Sequence, residues 1–183
     1  SNNVSYTVAL SRNNTFTNPI FPLGGSEFVL SARFSLPYSL WNGVDYGSLG
    51  ELPEFQDSNG DPDQSKIDQE KYKWLEFYKI KFKGSWYTRL FDKLVLRTHA
   101  EFGFLGAYNN DRGVIPFDRF FLGGDGMSQY AMDGREMISM RGYPNQSLSS
   151  QNGSTIYNKF SLELRYPITL KPAASIFGLT FIE

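Results

Sequence analysis

The sequence contains no cysteine and a single histidine, His99. The absence of cysteine excludes a disulfide scaffold and a metal site built on thiolates. A single histidine has no second imidazole with which to bind a metal, and no obvious nucleophile accompanies it in the sequence. We interpret His99 as a hydrogen-bonding residue between Arg97 and Glu101 on one face of a strand. We therefore expect no catalytic residue, no metal site and no cofactor.

An excess of charge of one sign and a long apolar run are also missing. The net charge is −1, so the chain lacks the basic excess that is typical of proteins that bind nucleic acid, and we expect no such partner. No apolar run approaches the roughly 18 residues that a transmembrane helix needs. The N-terminus carries no signal-peptide pattern, and the chain stops at "GLTFIE" within an apolar strand pattern. We therefore expect a piece of a longer protein.

Alternation of apolar and polar residues with a period of two dominates the chain, whereas helical periodicity is weak. It predicts six strands of about ten residues each, at 3–11, 27–36, 77–89, 93–108, 155–166 and 174–183. The two central strands separate their faces most clearly. One face carries Ile80, Phe82, Trp86, Leu94, Leu96, Phe102 and Phe104, and the other carries Lys79, Lys81, Lys83 and Arg97.

The predicted connections alternate in length. A tight "LFD" turn joins the two central strands, the connections at 37–70 and 109–153 are very long, and those at 12–26 and 167–173 are intermediate. Short turns then lie at one rim of a sheet and long loops at the other, as in outer-membrane barrels. A compact soluble domain rarely carries two such long structureless loops.

These patterns favour an all-β fold, namely part of a transmembrane antiparallel β-barrel of about six strands with long extracellular loops and short periplasmic turns. The alternative is a soluble sandwich, in which the apolar face forms the core and the lysine-rich face meets water. Alternation alone does not separate the two, but the strand length, the 16% aromatic content and the loop asymmetry favour the barrel.

The acidic segment 57–63, "DSNGDPD", has the alternate-oxygen spacing of a calcium loop. An EF-hand loop requires glycine at its sixth position and glutamate at its twelfth, where this chain has Pro62 and Asp68. We interpret the segment as a solvated surface loop.

Two motifs in residues 116–144 carry a family resemblance. Pro116, Phe117, Phe120 or Phe121, Gly123 and Gly124 form the first motif, and Arg141, Gly142 and Tyr143 form the second. Together they resemble the long sixth extracellular loop of BamA-type outer-membrane-protein assembly factors and their superfamily. The stretch "YNKFSLELRYPI", 157–168, resembles the strand that follows this loop, and the final "TFIE" resembles part of the next strand. The segment 125–139 is an insertion relative to the family pattern.

The resemblance implies that the loop, at 109–153, folds back into the barrel and that Arg141 meets carboxylates on the inner wall. Glu163 lies on the charged face of its strand and is the expected acceptor. Glu183 is the expected second acceptor, and Phe181 shares its face. A carboxylate is able to accept two parallel hydrogen bonds from a guanidinium. Gly142 would permit backbone conformations closed to other residues, and Tyr143 would supply a packing surface.

The resemblance further implies that residues 1–183 are a fragment of a C-terminal outer-membrane barrel, without the barrel's first and last strands. The implied function is the folding and insertion of β-barrel proteins into the bacterial outer membrane. Its implied partners are outer-membrane lipids, client β-barrel proteins and accessory lipoproteins. The alternatives are a sibling translocator of the same superfamily and a passive porin-like channel; an enzyme would need a catalytic set that the sequence does not suggest.

Overall fold

The computed structural model describes residues 1–15, 20–124, 135–171 and 173–183. Within these ranges the chain forms eight strands, one α-helix and three short 3₁₀ helices. The strands are β1 (Ser5–Asn13), β2 (Gly25–Ser35), β3 (Tyr78–Phe91), β4 (Leu94–Gly106), β5 (Phe120–Leu122), β6 (Glu136–Ile138), β7 (Ile156–Lys171) and β8 (Ala174–Ile182). The helix is α1 (Gln64–Lys71), and the 3₁₀ helices are Tyr38–Leu40, Leu49–Glu51 and Pro53–Phe55.

Six long strands form one antiparallel sheet in the order β1-β2-β3-β4-β7-β8. The six predicted strands are thereby confirmed, and the sheet is open at β1 and β8. The two short strands β5 and β6 form a separate parallel pair within the connection between β4 and β7. Among the described residues no helix is long and apolar enough to cross a membrane.

The connections alternate as predicted, with one correction. Those from β1 to β2, β3 to β4 and β7 to β8 leave one rim, and the two long connections leave the other. The predicted intermediate connection at 167–173 is wrong, because β7 continues to Lys171 and only a short turn follows. Proline has no N–H to donate, and a β-bulge between Pro167 and Thr169 lets the ladder resume beyond it.

Side-chain burial in the sheet is reversed relative to that of a soluble protein. Along β7, Tyr157, Lys159, Ser161 and Glu163 are buried, while the alternating apolar residues are exposed, with Phe160 at 68%. The buried charged face lies beneath the folded-back loop, and we call it the lumen face. A soluble protein rarely exposes so continuous an apolar surface. The soluble-sandwich alternative is therefore wrong, and the chain forms part of a transmembrane antiparallel β-barrel whose sheet is not closed.

Apolar residues also close the two ends of the lumen face. Near the long-loop rim, one buried cluster joins strand residues to loop residues: Leu75, Phe77, Leu105, Ile115, Phe120, Ile138 and Tyr157. Near the opposite rim, Phe21 from the β1–β2 connection packs against Tyr87 and Val95. Tyr87 is an aromatic residue on the otherwise charged face of β3. Its packing in this second cluster explains why an apolar ring lies on that face.

The long connection between β2 and β3 is not structureless, contrary to expectation. It contains α1 and the three 3₁₀ helices, and Tyr46, Leu49 and Ile67 form its own buried cluster. Asp63 caps α1 by accepting hydrogen bonds from the backbone N–H groups of Ser65 and Lys66. The last residue of the acidic segment 57–63 is therefore the N-terminal cap of a helix.

Candidate functional site

The connection between β4 and β7 folds back across the lumen face of the sheet. Its parallel pair, β5 and β6, places Phe120 and Ile138 in the buried cluster with Leu105 of β4 and Tyr157 of β7. The inserted segment at 125–139 lies only partly within the described residues, since 125–134 fall outside them. Its last residues form β6, so this end of the insertion packs against the sheet.

Arg141 reaches the wall at β7 and β8. Its Nη2 lies 2.8 Å from Glu163 Oε1 and 2.9 Å from Glu183 Oε1, and its Nε donates to Glu183 Oε1 at 3.0 Å. Its backbone N–H donates to Glu183 Oε2 at 2.7 Å, and Nη2 also donates to Ser161 Oγ at 3.2 Å. We call this cluster, formed by Arg141, Ser161, Glu163, Phe181 and Glu183, the arginine clamp.

The geometry of the arginine clamp differs in two respects from the expected arrangement. Glu183, the expected second acceptor, takes more hydrogen bonds than Glu163, and the guanidinium does not make two parallel bonds to two oxygens of one carboxylate. The reason is that Nη2 is shared between the two carboxylates. The guanidinium also lies over the ring of Phe181, which is paired directly opposite Glu163 in the sheet.

Other cations reach the same two carboxylates. Arg97 Nη1 lies 3.2 Å from Glu163 Oε1, and Arg165 Nε lies 3.4 Å from Glu163 Oε2. Lys159 Nζ lies 3.5 Å from Glu183 Oε1 and donates to the carbonyl of Ser139 at 2.6 Å. The sequence interpretation did not include Lys159 and Ser161 in the site, although alternation assigns both to the face of Glu163 on β7.

The Gly-Gly and Arg-Gly-Tyr motifs are hydrogen-bonded to each other. The N–H of Gly124 donates to the carbonyl of Tyr143, and the N–H of Met140 donates to the carbonyl of Gly124. Gly123 and Gly124 have φ angles of 116° and 104°, which side chains rarely permit, and a Cβ on Gly124 would collide with Asn145. The two motifs are thus the two sides of one folded unit.

Other predicted loop residues are less enclosed than expected. Gly142 has a φ of 87°, but Tyr143 is exposed and contributes its backbone carbonyl. Pro116 and Phe117 are also exposed, although Phe117 meets the Tyr72 ring edge-on at 6.4 Å. The buried residues around the loop base include Ile115, Phe120 and Phe121, together with Gly123 and Gly124 of the predicted set.

His99 is part of a hydrogen-bonded row on the lumen face. Its Nε2 lies 2.6 Å from Glu101 Oε1 and its Nδ1 lies 2.8 Å from Ser85 Oγ. Nε2 donates to Glu101, because the carboxylate only accepts. Nδ1 accepts, because the Arg97 guanidinium only donates and its Nη2 lies 3.3 Å away, so the Ser85 hydroxyl donates to Nδ1. Arg97 Nη2 donates to Ser85 Oγ at 3.1 Å. The expectation that His99 has no nucleophile beside it is wrong, because β-sheet register places Ser85 directly opposite.

A serine, a histidine and a glutamate in this order resemble a hydrolytic triad. Acyl transfer also requires N–H donors that are free to bind an oxyanion. β3 pairs with β2 on one side and β4 on the other, so the N–H groups around Ser85 are used in the two ladders. Ser85 is itself buried and accepts from Arg97. We therefore interpret the row as a structural network of the lumen wall.

The sheet, its buried charged face and the folded-back loop agree with the comparison of the chain with known families. The sequence model of the Omp85 superfamily domain matches residues 2–182. The chain belongs to the Omp85 superfamily. No curated protein matches the chain significantly.

Membership of the Omp85 superfamily defines the general role of the chain. Omp85 proteins are outer-membrane proteins, which supports an outer-membrane location. They are assembly or transport factors, and membership supports a role in inserting or translocating proteins at that membrane. The match covers nearly the whole chain, including residues 2–92, which precede the segments that carry the motif resemblance.

Proposed function

We propose that this chain is part of a BamA-type factor that folds β-barrel proteins and inserts them into the bacterial outer membrane. The observation that supports this role best is the arginine clamp, in which Arg141 of the loop binds two buried carboxylates, Glu163 on β7 and Glu183 directly after β8. The clamp connects the folded-back loop to two neighbouring strands of the wall. In this proposal residues 1–183 belong to the C-terminal barrel domain, and 109–153 form its signature loop.

The clamp acts by fixing the loop and the wall relative to each other. Glu163 and Glu183 have side chains only 4% and 5% exposed, so their charges need partners within the lumen. Arg141 supplies one partner to both, which holds β7 and β8 in register beside the loop. A wall held in this way would remain ordered while a client strand adds at an edge elsewhere in the barrel.

The chemistry of the proposed function involves no covalent step. A client strand in lipid needs every backbone N–H and C=O paired, and strand addition to a sheet edge supplies these pairs. The proposed partners are client β-barrel proteins, the surrounding outer-membrane lipids and accessory lipoproteins. Arg141, Gly142 and Tyr143 form the proposed latch, with Glu163 and Glu183 as its acceptors.

The test uses the full-length protein reconstituted in lipid vesicles, with the rate of insertion of a β-barrel client as the readout. We expect Arg141→Ala to slow client insertion, because the loop loses its anchor on β7 and β8. The matched control is Arg89→Ala, since Arg89 is an exposed arginine near the opposite end of the same sheet. Each variant is first checked for a folded barrel by its heat-modifiable migration in gels.

The same vesicles distinguish the alternatives. Secretion of a soluble-domain client without insertion of barrel clients would favour a sibling translocator. Steady ion conductance that Arg141→Ala leaves unchanged, with no client insertion by the parent protein, would favour a porin-like channel. Client insertion at the parent rate by a folded Arg141→Ala variant would contradict the role of the clamp.

A further inference from the structure

A second group of contacts attaches the same loop to β3, away from the arginine clamp. Lys79 of β3 is only 4% exposed, and its Nζ lies 2.6 Å from Glu136 Oε2. The same Nζ donates to the backbone carbonyl of Asp118 at 2.7 Å and lies 3.4 Å from the Asp118 carboxylate. Lysine is almost never buried unless it is paired. The loop therefore supplies the partners of Lys79. Asp118 precedes the segment 125–134, and Glu136 follows it.

Charges on the sheet surround this contact. Glu136 also accepts a hydrogen bond from Lys81 at 3.0 Å, and Arg33 of β2 lies 3.7 Å from Asp118. Burial by itself raises the pKa of Glu136, but the hydrogen bonds and charges of Lys79 and Lys81 outweigh it and lower this pKa below its ordinary value. The carboxylate is thus held in its charged form against the sheet.

An aromatic slot lies next to these charges. Phe120 is fully buried; Lys79 Nζ lies 4.7 Å from the centroid of its ring, and the Tyr157 ring meets it edge-on at 4.7 Å. The slot exists because residue 103 of β4 is glycine: a Cβ there would lie 2.7 Å from Phe120 and would also strike Tyr157. The sheet therefore contains a slot that fits the Phe120 side chain, which lies in the first half of the loop.

We propose that Lys79, Asp118, Phe120 and Glu136 form a second clamp, which holds the loop on β3 and β4 independently of Arg141. Lys79 holds Asp118 and Glu136 of the loop against β3. The two clamps share none of these residues: Arg141 binds β7 and β8, whereas Lys79 lies on β3, with β4 between the two binding regions. The loop is therefore attached at two points and remains over the lumen face when either one is released. The functional significance of this attachment rests on the proposed function, but its existence does not.

Independence has a measurable consequence. Changes at sites that share no partner add in free energy, so their effects on the opening of the loop multiply. Changes at two residues of one clamp do not multiply, because the second removes a contact that is already lost. The experiment compares combinations across the two clamps with combinations within the second clamp.

The experiment uses the full-length protein in lipid, with any cysteine outside this chain replaced. The reporter is Ile138→Cys, since Ile138 is buried in the loop cluster and this chain contains no cysteine. The rate at which a water-soluble maleimide labels the reporter thiol measures the fraction of molecules with the loop open. All variants carry this reporter, and each is checked for a folded barrel.

We expect Lys79→Met and Arg141→Ala each to raise the labelling rate about tenfold, and the two together to raise it about a hundredfold. Lys79→Met combined with Glu136→Gln should label at a rate well below the product of the two single effects. The control is Lys83→Met, since Lys83 lies on the same face of β3 but is exposed and pairs with Glu101 of the wall. This change should alter the rate by less than about twofold to threefold.

The experiment distinguishes an incorrect second clamp from an incorrect proposed function. If Lys79→Met prevents folding, Glu136→Gln removes the main loop-side charge without altering β3 and gives the same comparison with Arg141→Ala. Labelling at the parent rate in Lys79→Met and Glu136→Gln would overturn the second clamp, as would full multiplication of these two changes. Multiplication across the clamps with unchanged client insertion would support the second clamp and contradict the role of the loop in insertion.

Discussion

The guanidinium of Arg141 lies over the ring of Phe181, with Cζ 3.7 Å from the ring centroid. The loop thus meets β8 through an aromatic ring as well as through the carboxylate two residues further on. The ring covers one face of the planar group, while its N–H groups point to Glu163, Glu183 and Ser161. Guanidinium suits this place because it stacks on a ring and donates in its own plane at the same time.

Arg141→Lys should therefore restore little of the loop docking that Arg141→Ala loses. An ammonium has no plane to stack and cannot reproduce the paired donors Nε and Nη2. We expect Arg141→Ala to destabilise loop docking by about 1.5 kcal/mol, the lower end of the range for hydrogen bonds to charged groups, which corresponds to about a tenfold rise in loop opening. A larger loss is not expected, because Arg141 is 35% exposed and Arg97 and Lys159 remain near the two carboxylates. Hydrogen exchange of residues 140–143 measures the change, and wild-type protection in Arg141→Lys would contradict the role of planarity.

The facing of the strands predicts cysteine accessibility in the full-length protein in membranes. Cysteines at positions 79, 81 and 97 should be reached from the aqueous lumen, with position 79 slowest because the loop covers it. Cysteines at 80, 82 and 96 should react only with a lipid-soluble reagent, because their side chains lie on the apolar face. Rapid labelling of 80, 82 and 96 by a charged reagent, with protection of 81 and 97, would show that the facing is wrong.

Gly103→Ala should displace the loop base. The added Cβ would lie 2.7 Å from Phe120 and would also meet Tyr157, so the slot that holds Phe120 closes. Overpacking of this kind costs about 1–3 kcal/mol. The control is Gly178→Ala in β8, where a Cβ meets nothing within 4 Å. Loop protection in hydrogen exchange should fall for Gly103→Ala alone, and equal effects in the two variants would contradict the slot.

The buried pair Glu76–Arg112 should stabilise the two long connections together. Arg112 Nη1 donates to Glu76 Oε2 at 2.9 Å, Ser39 donates to both oxygens of Glu76, and both charged side chains are at most 2% exposed. Arg112→Ala leaves a buried carboxylate without its charged partner, which typically costs about 3–5 kcal/mol.

Hydrogen exchange of α1 and its flanking loop should report this loss. The exposed pair Glu70–Lys73 of the same connection is the control, and Glu70→Gln should cost less than about 1 kcal/mol. Equal losses of protection for Arg112→Ala and Glu70→Gln would contradict the role of the buried pair.

Glu136 should make loop docking sensitive to acid. Its folded-state pKa is lowered below 4.5, so the charged carboxylate contributes stability that is fully present above that value and is lost as pH falls through the lowered pKa. Glu136→Gln removes this titration. Hydrogen exchange of the loop residues, corrected at each pH for the exchange rate of an unfolded chain, should show loop opening that rises less steeply from pH 7 to pH 3 in Glu136→Gln than in the parent. Identical corrected pH profiles would contradict the prediction.

Alternation along the sequence was sufficient to predict the strands and their faces. Alternation is a local property of the chain, so Lys79, Glu163 and Phe160 could be assigned to a face without knowledge of their neighbours. The two loop motifs likewise identified the segment that folds back. The sequence also contained a signal that was missed: Asp63 followed by "QSK" is a recognisable helix start at α1.

The residues that contact one another could be identified only from the folded structure. The pairing of Ser85 with His99, the meeting of Glu163 with Phe181 and the closeness of Lys79 to Glu136 all depend on strand register or loop docking over long separations. Alternation cannot identify these partners, because it fixes the face of a residue and not its position along the neighbouring strand. The sharing of Arg141 between two carboxylates has the same origin, because the pairing of β8 with β7 brings Glu183 as well as Glu163 within hydrogen-bonding distance of Arg141.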